Sequence, residues 1–99
     1  MTRTELLLVL LMEECDETSQ RASKAIRFGL DEVQEGQELN NAQRLVYEFN
    51  DVLAVMQVMI DEGLIDNEHD KCKQAINAKK GKIKQWLAYS AKCGTMINE

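Results

Sequence analysis

Two helical patterns in this chain interrupt their own apolar stripes with carboxylates. Residues three apart on a helix share a face and lie about 4.5 Å apart along the axis. In the first pattern Leu7, Leu10 and Leu11 define an apolar side whose continuation falls on Glu14, Glu17 and Thr18. In the second, Leu45, Val52, Val55, Met56 and Met59 define the buried side; Glu48 lies on it, with Asp51 three residues further. Like charges at this spacing cost roughly 0.2–0.5 kcal/mol per pair when exposed, and more when desolvated. A charge run on a helix is ordinarily a solvated face, which is the reading for Asp16 alone. Two helices that break their stripes in the same way point instead to a cation held between the carboxylates. All-oxygen ligation without sulfur or imidazole suits a hard ion, Mg²⁺ or Mn²⁺.

The bulk numbers bound the fold. Ninety-nine residues are expected to make a single domain, 1–99, with a modest core. With no proline and five glycines, long uninterrupted helices are favoured, so the expected class is all-α, a bundle of three to four helices. Net charge is −5 but uneven: residues 1–70 carry five basic side chains against sixteen acids, and residues 71–99 carry seven lysines against Glu99 alone. The acidic balance argues against nonspecific nucleic-acid binding. The asymmetry fits a basic last helix facing an acidic metal centre. Three cysteines without CxxC spacing read as reduced thiols of a cytoplasmic protein. The apolar run 6–12 is too short for a membrane span and lacks the cleavage site of a leader.

Along the chain, Thr2 or Thr4 can cap a first helix running over about 5–27, with Gly29 ending it. Residues 30–40 read as a loop with at most one helical turn, either a candidate lid or a plain surface crossover. Asn40 or Asn41 caps the second helix, which stops at Gly63. Its segment Val52–Ile60 has Gln57 as its sole polar residue, so it is expected to be buried on every side, and three or four helices of one copy cannot surround it. That predicts a homo-oligomer. Asp66 can cap a third helix starting near Asn67, and Gly81 marks a kink or a break into a fourth. His69, expected to be a solvated first-turn residue, is the single histidine, which removes imidazole triads and most zinc sites. Phe28, Tyr47, Trp86 and Tyr89 could stack on a base, though such residues are more often core; Trp86 is read as packing and the other three stay open, while Asn41 and Asn50 are read as caps before base readers.

Glu-Glu-x-x-Glu (Glu13, Glu14, Glu17) followed by Glu-x-x-Asp (Glu48, Asp51) resembles the signature of the MazG-like all-α nucleotide pyrophosphohydrolases. Asp51-Val52-Leu53, Ala25-Ile26-Arg27-Phe28-Gly29, Asn41, Arg44-Leu45 and Lys79-Lys80-x-Lys82 are similar to small phage-type members, over residues 5–92. The separation of Glu17 from Glu48 is long for that family. The resemblance implies a helical bundle assembled as a dimer or a dimer of dimers, acting in the cytoplasm (host cytoplasm if the source is viral). It implies Mg²⁺-dependent hydrolysis of a nucleoside triphosphate between the α and β phosphates, giving a monophosphate and pyrophosphate and so controlling a nucleotide pool. By motif position, Glu14, Glu17, Glu48 and Asp51 would ligate the metal. Glu13 would join Glu14 in the catalytic cluster, orienting the attacking water or holding a second ion. Lys79, Lys80 or Lys82, with Arg27, are the candidate phosphate partners, and Asn41 is a further substrate-binding candidate.

The competing reading is an inactive bundle of the same fold that senses a nucleotide or metal or binds a partner. A di-iron carboxylate bundle is disfavoured by the missing Glu-x-x-His motifs.

Overall fold

The computed structural model describes residues 1–97, with the side chains of 69–71 outside the description. Three α-helices and no strand are present among the described residues: α1 (Arg3–Phe28), α2 (Asn41–Asp61) and α3 (His69–Lys92). They fall into two compact units, Met1–Asp66 and Asn67–Glu99.

Local chemistry sets the ends. The Thr2 hydroxyl accepts from the Glu5 amide at 3.1 Å, capping α1. Gly29, at φ 99°, ends it in backbone that a side chain would strain, and its amide still reaches Ala25 O. Of the two adjacent asparagines, Asn40 is the cap of α2: its side chain accepts from Gln43 N at 2.8 Å, and the Gln43 side chain accepts from Asn40 N at 3.0 Å. The first residue of α3 is His69, so its cap position falls on Glu68 rather than Asp66.

Gly81 does not divide the C-terminal segment into two helices, because α3 runs through it unbroken. A glycine inside a helix costs about 1 kcal/mol relative to alanine. The good helix formers around it, Ala78-Lys79-Lys80 and Lys82-Ile83-Lys84, offset that.

In the first unit α1 and α2 pair as an antiparallel hairpin. At its open end the Arg3 guanidinium meets Glu62 at 2.6 Å, and Leu7 and Met59 are buried. At the loop end Arg21 and Asn41 are buried together. The connection between the helices is tied down, since Asn41 N donates to Glu32 O and Ala42 N to Leu30 O. These are amides of the first turn of α2, which have no partner within their own helix. Gly36, at φ 84°, is the third residue of a turn closed by Gln37 N to Gln34 O.

Leu7 and Met59 are the only buried apolar side chains among the described residues. Leu53 and Val58, expected to be buried against a second copy, are open in the single chain, and Val46, Phe49 and Leu53 form a second apolar stripe beside the paired one. Phe28, Tyr47, Trp86 and Tyr89 are each more than half exposed rather than core. In α3 every described side chain except that of Ser90 is exposed. The side chain of His69 lies outside the described residues.

Candidate metal centre

Packing dictates what the hairpin interface should contain, and midway along it the contents change. The stripe of α1 continues from Leu7 and Leu11 through Glu14, Thr18 and Arg21, all buried or half-buried. The facing stripe of α2 carries Asn41, Leu45, Glu48, Val52, Val55, Met56 and Met59 in the same way. Between an apolar end and a polar loop end, the middle of the interface is therefore acidic.

There, one carboxylate oxygen from each of Glu14, Glu17 and Glu48 lies within 4.8 Å of the others. Around Mg²⁺, with bonds of about 2.1 Å, neighbouring ligands sit about 3 Å apart and opposite ones about 4.2 Å. Small side-chain rotations would close the three oxygens on such an ion. Burial, then the charge of Glu17, then that of Asp51, raises the pKa of Glu14 above its ordinary 4.5; a hydrogen bond with Glu17 and the charge of Glu48 add to this. Glu14 Oε2 is buried with no hydrogen-bond partner. A buried acceptor left unpaired beside other carboxylates is costly, and a cation or a proton removes the cost. The Thr18 hydroxyl is satisfied by Glu14 O at 2.9 Å.

The other expected site residues are spread more widely. Asp51 is exposed and acts on Glu14 through its charge, outside the group of three. Glu13 is exposed and is also outside it. Arg27 is exposed with its guanidinium 4.8 Å above the Phe28 ring. Lys79, Lys80 and Lys82 are exposed on α3 in the second unit.

Asn41, at 1% exposure, spends its amide inside the hairpin. Its Nδ2 donates to Gly29 O at 2.8 Å and to Glu32 Oε1 at 3.1 Å, and its Oδ1 accepts from Arg21 Nη1 at 3.3 Å. It locks the end of α1, the loop and the start of α2 to one another.

Arg21 and Glu32 have no counterpart among the residues singled out from the sequence. Arg21 could have been found there: it lies seven residues after Glu14, where the interrupted stripe of α1 returns to the same face. Beside it opens a cavity of ≈ 270 Å³ lined by Arg21, Lys24, Phe28, Glu32, Gln34, Glu35 and Asn41. No family model, curated protein or solved structure matches the chain. No described helix is long and apolar enough to cross a membrane.

Proposed function

We propose that the chain is a MazG-like nucleoside triphosphate pyrophosphohydrolase working as a homo-oligomer with Mg²⁺ or Mn²⁺. The observation that carries this reading is the convergence of half-buried Glu14 and Glu48 with exposed Glu17 at a helix–helix interface, with one Glu14 oxygen buried and unpartnered. Such an arrangement is unfavourable for the apo fold and favourable for a hard divalent ion. Glu14, Glu17 and Glu48 would hold that ion, with Asp51 completing the set. When bound, it neutralises phosphate charge and lowers the pKa of a water.

The chain's own residues then have two tasks. The four carboxylates fix where a triphosphate can sit, because without a cation they repel it. Glu13, exposed beside them, orients the attacking water and takes up its proton. Water oxygen bonds to the α phosphorus, the bond to the α–β bridging oxygen breaks, and pyrophosphate leaves. Little covalent chemistry is asked of the protein, so positioning and electrostatics suffice.

Incubation with a panel of ribo- and deoxynucleoside triphosphates in Mg²⁺ is expected to release pyrophosphate and monophosphate, with no orthophosphate and no turnover in EDTA. Absence of turnover with both Mg²⁺ and Mn²⁺ would leave a binding module instead.

The oligomer is supported by what the hairpin leaves open. Two buried apolar side chains fall far short of what ordering its backbone demands, and the Val46, Phe49, Leu53 stripe remains uncovered. A second copy covers that stripe. Light scattering at micromolar concentration is expected to give a dimer or tetramer mass; a clean monomer contradicts it.

A further inference from the structure

Among the described residues two side-chain atoms are buried without a partner on non-exposed residues, Glu14 Oε2 and Arg21 Nε. They belong to one stripe of α1, seven residues or about 10 Å apart along the axis. One is an acid that lacks a cation; the other belongs to a base that lacks an acceptor. Arg21 is 6% exposed, cannot be deprotonated, and has five donor hydrogens, of which one hydrogen bond, to Asn41 at 3.3 Å, uses a single nitrogen. It makes no ion pair among the described residues, where the sole salt bridge is Arg3–Glu62. A buried guanidinium in that condition is strongly unfavourable unless an anion reaches it.

The space for an anion is present, because Arg21 lines the 270 Å³ cavity together with half-buried Lys24. Two acids also line it, Glu32, whose Oε1 accepts from the Asn41 amide, and exposed Glu35; neither pairs with Arg21 among the described residues. Phe28 supplies an apolar wall.

We propose that this cavity is an anion site for a phosphate chain, with Arg21 as the fork and Lys24 as the point charge. A single ligand then answers both orphaned atoms: a polyphosphate whose chelated end lies at Glu14 and whose free end lies at Arg21. The identity of the anion's carrier, a nucleotide or free pyrophosphate, rests on the pyrophosphohydrolase reading; the anion site itself does not.

The probe is inorganic pyrophosphate, titrated calorimetrically into the full chain in EDTA at low ionic strength, with an unphosphorylated nucleoside in parallel. Pyrophosphate is expected to bind and the nucleoside not to bind. Lys24→Gln should weaken binding about tenfold with the helical signal unchanged, and Glu35→Gln should tighten it. Arg21→Gln should abolish it. If that variant does not fold, the Lys24 and Glu35 variants decide. Absent pyrophosphate binding, equal affinity in Lys24→Gln and the parent chain, or equal binding of the nucleoside overturns the proposal. Pyrophosphate binding without triphosphate turnover leaves the anion site standing and removes the enzyme. Turnover with no pyrophosphate binding does the reverse.

Discussion

Glu48→Gln is expected to lower pyrophosphate release by on the order of a hundred- to a thousandfold, to background, while the metal-free protein stays folded. Glu48 is the one member of the convergent group contributed by α2, so under the proposed function its charge would join the two helices to a shared ion. Glutamine keeps the shape and one acceptor but removes the charge that a hard cation requires. In EDTA the variant should melt higher than the parent by about 1–3 °C, because a like-charge contact with Glu14 and Glu17 is relieved. In millimolar Mg²⁺ the order should reverse, since only the parent gains the free energy of ion binding. A variant that loses its helical signal in EDTA, or melts lower in both buffers, would assign Glu48 to packing.

The hairpin was legible in the sequence for physical reasons that are local. Thr2 with Glu5, and Gly29, act within a few residues of themselves, so spacing reveals them. The acids at 14, 17 and 48 were legible because they violate a period that the surrounding leucines, valines and methionines keep. Arg21 keeps that period too, seven residues after Glu14, but arginine on a helix is ordinarily solvated, and its burial against Asn41, twenty residues away, shows only once the helices pair. Adjacent Asn40 and Asn41 look alike as caps. Only the pairing of α1 with α2 separates the one that caps from the one that ties the loop at Gly29 and Glu32. The lysines at 79, 80 and 82 carry charge in the sequence and exposure in the structure, and neither property fixes what they meet.

Glu14 gives the account a second large effect, through the competition between a proton and a metal for the same oxygens. Its pKa is raised, by burial first and by Glu17 next. In the absence of metal, Glu14 therefore contributes stability below its ordinary pKa of 4.5, and that contribution is lost as the pH rises through the higher folded-state value. Metal affinity runs the opposite way: it is full above the folded-state pKa and declines as the pH falls through it. Glu14→Gln removes both dependences.

Titration of the metal-free protein with Mn²⁺, followed by calorimetry or by loss of the free-ion resonance signal, measures the shared-ion site directly. The parent chain is expected to bind at least one Mn²⁺ per chain, with affinity that weakens as the solution is acidified through the range in which Glu14 takes up its proton. Glu14→Gln and Glu48→Gln are each expected to lose that binding. Equal Mn²⁺ affinity in the parent and both variants, unaffected by acidification, would contradict the claim that these carboxylates share an ion.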